Sequence, residues 1–140
     1  MYVARAAAAR LTSVDIHIGS LVPAHATAMG RVLLASLPDD EPASASGGTD
    51  PDRLRALLQQ VRVDGYAAVD EELEVGLRSI ALPVKGHDGR ALAAVNIAMH
   101  AGQRGDLGRV EGLLPAMRSA VQAIEGDLAT IGPFHRIAVM

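Results

Sequence analysis

Apolar positions change their period several times along the 140 residues, and each change marks an element. In the stretch 19–37, GSLVPAHATAMGRVLLASL, Met29 is followed by Val32, Leu33 and Leu37 at spacings of 3, 4 and 8, the stripe of a one-sided helix. Pro23 lacks an N–H and pushes Val22 out of the helical region, so residues 19–26 read as a loop feeding that helix. Thr27 is the expected N-cap, its hydroxyl accepting from the N–H of Met29 or Gly30. The N–H groups of Ala28, Met29 and Gly30 then stand at a positive helix end among small residues, an arrangement that holds carboxylates or phosphates through backbone alone. The same pattern also fits an ordinary capped helix packed on a sheet.

Upstream, residues 2–7 and 12–18 read as a first pair of strands. Val14, Ile16 and Ile18 alternate with Ser13, Asp15 and His17, which puts His17 on the solvated face. Downstream, residues 38–50, PDDEPASASGGTD, lose the hydrophobic period and form an exposed loop. Asp50 or Thr49 caps a second helix with Pro51 at its first position. Its apolar face is Leu54, Leu57, Leu58 and Val61, and Gly65 closes it in the left-handed conformation. Residues 66–69 make a short strand.

Residues 77–85 and 91–100 are the clearest strands. Ile80, Leu82 and Val84 alternate with Ser79, Ala81 and Pro83, while Val95 and Ile97 alternate with Asn96 and Ala98. Small or apolar residues on both faces suit central, covered strands, and Asp88 with Gly89 supplies the hairpin turn between them. Pro83 argues against full ladder pairing at its position. Residues 107–131 form a long helix with the stripe Val110, Leu113, Leu114, Met117, Val121, Ile124 and Leu128. Gly112 and Pro115 weaken its first turns, so its regular part should start near Leu114. Gly132 and Pro133 stop it, and residues 134–140 are a frayed end or an added edge strand.

Composition narrows the chemistry. Apolar residues make up 49% of the chain but aromatics only 2%, so Ala, Val and Leu fill the core and stacking on nucleic-acid bases is nearly excluded. A net charge of −3 gives no basic field for DNA or an anionic membrane. The absence of cysteine removes disulfides, thiolate metal sites and a cysteine nucleophile, and suits a reducing cytoplasm. No apolar run approaches the roughly 18 residues of a membrane span.

The acidic run DEELEVG, residues 70–76, reads as a solvated turn rather than a metal or acid–base cluster, because nothing fixes a pair of carboxylates. Glu74, close to Gly76, is the acid to keep in view. His17, His25, His87, His100 and His135 lack metal-ligand spacing, and no nucleophile elbow, zinc-protease, P-loop or dinucleotide fingerprint is present. No catalytic residue, metal ligand or cofactor is therefore assigned.

Three blocks carry a resemblance: PAHATAMGRVLLASL at 23–37, GYAAVDEELEVGLRSIALPV at 65–84, and GRALAAVNIAM at 89–99. Together with the spacing of the last two, they resemble the C-terminal, effector-binding domain of the isocitrate lyase regulator (IclR) family of bacterial transcription factors, over residues 2–128. The segments YVARAAAARL and AVNIAMHA are most similar to the branch that regulates protocatechuate and β-ketoadipate catabolism. The resemblance implies an α+β fold, a GAF-like or profilin-like curved antiparallel sheet with flanking helices, filling residues 1–140 as one domain. It implies a homodimer or homotetramer that reaches promoter DNA only through an N-terminal winged helix-turn-helix, which is missing from these residues. It gives no membrane role and a cytoplasmic location.

In such relatives a small carboxylate lies at the helix start. Carried over by motif, the effector-binding positions are Ala28 and Met29 on the helix and Val69, Ser79, Asn96 and Ala98 on the strands, with Ser79 and Asn96 the only hydrogen-bonding side chains. Val69 and Ala98 stand where relatives place an acid and a second serine, which implies a more apolar pocket suited to a larger, aromatic carboxylate. The loop before DPDRL, PASASGGT, is shorter than the family's usual threonine-rich loop. Two other readings stay open at this point: a small-molecule enzyme using His25 or His100 as a base, and a dimerisation module without ligand.

Overall fold

A computed structural model of the chain describes residues 1–6, 17–38, 47–100 and 110–131. Its centre is an antiparallel sheet in the order β1 (Ala67–Asp70), β2 (Leu77–Lys85), β3 (Ala91–His100). The two long strands fall where the alternation and the Asp88–Gly89 turn put them. Gly89 has φ +77, and Gly86 N–H donates to the Arg90 carbonyl at 2.9 Å to close the hairpin. Pairing runs through Pro83, which faces Ala94, and the irregularity comes one step later, between Val84 and Lys85. β1 ends opposite Ala81, so β2 has a neighbour on one side only at Pro83 and the missing N–H is tolerated.

Both faces of β2 are covered. Ile80, Leu82 and Val84 pack against Leu114, Met117 and Val121 of α3 (Leu114–Ile131), with Val95, Ile97, Leu113 and Leu128 around them. A 3-10 turn, Val110–Leu113, precedes α3, and the regular helix begins where Gly112 and Pro115 allow it. The opposite face carries α1 (Ala28–Ala35), whose Ala28 and Val32 pack on Ala67, Val69 and Ala81. Then α2 (Pro51–Asp64) lies against α1 through Leu54 and Leu58, which meet Leu34 and Ala35. Burying Leu54, Leu58 and Ile80 completely stabilises the fold by about 1.5–3 kcal/mol each. The Asp50 carboxylate accepts from Asp52 N–H at 3.1 Å and Gly65 closes α2 at φ +77, the start and stop expected from the sequence.

Two expectations are corrected. The apolar stripe of α1 is rotated: Leu33 and Leu37 are exposed, and the buried side is Ala28, Arg31, Val32, Leu34 and Ala35. The helix also ends at Ala35, with Ser36 as its C-cap. Small Ala28 brings the helix close to the sheet, so position on the helix, not side-chain size, decides the buried side, and Leu33 and Leu37 fall outside it. Of the expected first strand pair, residues 7 and 12–16 lie outside the described residues, and the described positions 2–6 and 17–18 do not form a strand. At its near end Tyr2 exchanges backbone hydrogen bonds with the 19–20 turn, Gly19 N–H to Tyr2 O at 2.8 Å and Tyr2 N–H to Ser20 O at 3.2 Å. The centre of the 38–50 loop, the first residues of the 107–131 segment and the 132–140 tail also lie outside them.

Candidate functional site

The start of α1 is built by three local devices. Thr27, extended at φ −121, accepts from Gly30 N–H through Oγ1 at 3.1 Å. Ala28 and Met29 are the first two helical positions, and their N–H groups have no acceptor within the helix. Before them, Ala24–Ala26 forms a 3-10 turn that crosses close to the helix. Gly30 makes that crossing feasible, because a Cβ there would stand 2.1 Å from the Ala24 carbonyl oxygen.

Beneath the helix start the sheet register sorts the strand residues. Val69 faces Ser79, which faces Ala98; in the next row of the same face Ala67 faces Ala81, which faces Asn96. Side chains directly opposite, or two residues apart on one strand, share a face. So Val69, Ser79, Asn96 and Ala98 all lie on the face that α1 covers. Ala28, 1% exposed, packs with Val69 there, and the half-buried Met29 flanks the same cluster. Ser79 and Asn96 are diagonal neighbours, about 7–8 Å apart between Cα atoms by ordinary sheet geometry. Both are half-buried, and neither side chain hydrogen-bonds to a described residue. The face thus carries two polar groups within an apolar patch, next to a helix end that favours anions.

The charged pair at this site escaped the sequence reading. Arg31 is buried on the first turn of α1; its Nε donates to the His25 carbonyl at 2.8 Å and its Nη2 pairs with the Glu72 carboxylate. The apolar spacing of α1 does not single out Arg31, and Glu72 lies in the acidic run expected to be a solvated turn. Counting Ala28 and Ala35 as core positions places Arg31 on the buried arc, which was the available signal. Glu74, the acid singled out from sequence, uses its backbone carbonyl to accept from Leu77 N–H at 3.0 Å. Hydrogen bonds cross the turn: Glu71, at φ +57, donates its N–H to the Leu77 carbonyl and accepts from Gly76 N–H through Oε1.

The two histidines considered as bases stand apart. The His25 ring occupies the space that a side chain on Gly47 would fill, and the His100 ring does the same at Gly76. Among the described residues no three acids, histidines or cysteines gather as a metal site, and no helix is long and apolar enough to cross a membrane.

Comparison with known proteins gives this arrangement a family. Residues 1–126 match the family model described as bacterial transcriptional regulator IclR C-terminal. The chain is 43% identical over 115 residues to the Pca regulon regulatory protein of Pseudomonas putida, which covers 74% of this chain and 40% of that protein. A solved structure from Rhodococcus sp. RHA1, described as a transcriptional regulator, superposes with a TM-score of 0.79 at 41% identity, covering 89% of this chain and 54% of that one. The inducer-binding domain of the PobR transcription factor of Acinetobacter, a double mutant in complex with 3-hydroxybenzoic acid, superposes with a TM-score of 0.72 at 27% identity, covering 83% and 73%.

The class is that of bacterial transcriptional regulators, and the matched part is their effector-binding domain rather than an enzyme. The chain belongs to the IclR C-terminal family. It spans less than half of the Pseudomonas putida relative.

Proposed function

We propose that the chain senses an aromatic carboxylate of the hydroxybenzoate class and, as part of a larger cytoplasmic regulator, passes its occupancy to a DNA-binding winged helix-turn-helix preceding these residues. The carboxylate lies at the N–H groups of Ala28 and Met29, Ser79 and Asn96 complete its hydrogen bonds, and Val69 and Ala98 border the ring. The observation that carries this reading is the register, which makes Ser79 and Asn96 diagonal neighbours on the sheet face that α1 covers, neither side chain bonded to a described residue. The Pca regulon relative and the 3-hydroxybenzoic acid complex of the PobR domain support the aromatic class. Self-association into a dimer or tetramer belongs to the same reading, supported by the open edges of the sheet among the described residues.

Calorimetric titration with 3-hydroxybenzoate and with protocatechuate tests it. A neutral side-chain hydrogen bond stabilises by about 0.5–1.5 kcal/mol, so Ser79→Ala and Asn96→Ala should each weaken binding by up to about tenfold. Parental affinity in both variants would place the ligand elsewhere. Binding of neither acid to the parent chain would end the aromatic assignment.

A further inference from the structure

Three pieces of chain that no continuous element connects border the site: the Ala24–Ala26 turn, the start of α1, and the segment between β1 and β2. One side chain touches all three. Arg31 belongs to α1, donates through Nε to the His25 carbonyl within the turn, and pairs through Nη2 with Glu72, three residues beyond Val69. The guanidinium fork fixes two acceptors at defined angles, which an ammonium group cannot do. Its partner stands in a turn tied across by hydrogen bonds, Glu71 N–H to the Leu77 carbonyl, Gly76 N–H to Glu71 Oε1 and Leu77 N–H to the Glu74 carbonyl. The Arg31 side chain is 6% exposed and that of Glu72 is 38% exposed.

Burying the Arg31 guanidinium costs desolvation that offsets much of its attraction to Glu72, so the pair contributes little net stability; what it supplies is position. We propose that Arg31 and Glu72 are positioning residues that latch the start of α1 to the β1–β2 turn and so set the placement of the Ala28 and Met29 N–H groups over Ser79 and Asn96. The latch rests on the site described under the proposed function, but its structural consequence does not require any particular ligand. Neither residue touches the effector.

The variants are Arg31→Met, Glu72→Gln and the double variant in the full 140-residue chain. Glu72→Gln alone leaves a buried cation poorly compensated and should lower the melting temperature. The double variant buries no unpaired charge and should recover most of that loss. Amide hydrogen exchange separates position from stability. In the double variant the amides of Gly30 and residue 31 should exchange about tenfold faster relative to those of Ile80 and Leu82 than in the parent, and 3-hydroxybenzoate should bind about tenfold more weakly. An unchanged exchange ratio overturns the latch. So does a faster ratio with parental 3-hydroxybenzoate affinity, which would make the pair a helix anchor without influence on the site. If the parent chain binds no 3-hydroxybenzoate, the ligand class fails and the exchange ratio alone decides the latch.

Discussion

Arg62 of α2 donates through Nε to the carbonyl of Ala35 at 2.8 Å, and so holds the last turn of α1 from a neighbouring helix. A second bond from its Nη2 reaches the Leu37 carbonyl at 3.2 Å. Carbonyls at a helix C-terminus lack N–H donors within the helix and carry partial negative charge, and a guanidinium answers both. The short helix α1 is therefore fastened by an arginine near each end, its own Arg31 at the first turn and Arg62 at the last.

Arg62→Met should keep the packing of the side-chain stem and remove the donors. The expected loss is about 1 kcal/mol, modest because the residue is exposed. Urea unfolding reads it directly, and a change below about 0.3 kcal/mol would show that water replaces the guanidinium at no penalty.

Gly30→Ala should be more damaging than a helical Gly-to-Ala change ordinarily is. In an open helix that change stabilises by roughly 0.5–1 kcal/mol. Here the new Cβ would meet the Ala24 carbonyl oxygen at 2.1 Å and its Cα at 2.3 Å. The turn must move, at a loss of about 1–3 kcal/mol. Because the obstruction is backbone, adding Ala24→Gly should not restore stability; rescue by that second change would show that the crowding lies in side chains instead.

Much of this fold was legible because the chain states it locally. The alternation through Ile80, Leu82 and Val84 and the Asp88–Gly89 turn marked the strand pair to the residue, and Thr27, Pro51 and Gly65 marked helix ends through their own chemistry. The face of α1 was harder to read. Its contact with the sheet is made by Ala28 and Val32, and a pattern weighted by large side chains turned it toward Leu33 and Leu37. The six candidate positions came from the family motifs, and the register adds that the four on the strands share one sheet face; the charged pair beside them was not legible. Arg31 and Glu72 are separated by 41 residues, and neither has a local spacing that announces the other.

Burial raises the hydroxyl of Tyr2 above the ordinary phenolic value of 10.0, with the nearby Arg5 pulling the other way. The neutral form is thus favoured in the folded chain. Its contribution is fully present below the unfolded value and is lost as pH rises through the folded one. Stability measured from about pH 9 to pH 11 should fall, and Tyr2→Phe should flatten the part of that slope that Tyr2 causes. Identical slopes in the two proteins would mean that the Tyr2 ring ionises as it does in water.

The last prediction concerns what the proposed site discriminates. Ala98 stands directly opposite Ser79 and is half-buried on the face under α1. A hydroxyl there would double the polar groups in that row without adding much volume. For a small 2-oxo acid such as pyruvate, which presents polar atoms on most of its surface, Ala98→Ser offers a further hydrogen bond, worth about 0.5–1.5 kcal/mol. For a hydroxybenzoate whose ring borders Ala98, the same hydroxyl meets an apolar edge and must give up water without replacement, at about 1–3 kcal/mol. Ala98→Ser should therefore shift the ratio of pyruvate to 3-hydroxybenzoate affinity by at least about tenfold toward pyruvate, the two effects acting in the same direction. Paired titrations of parent and variant with both acids check it. The fold should survive, since Ala98 is not among the residues that fill the core. A ratio left unchanged, in a variant that melts like the parent, would mean that the ring does not border Ala98 and that the aromatic selectivity has to come from the helix side of the site, where Met29 supplies the largest apolar group.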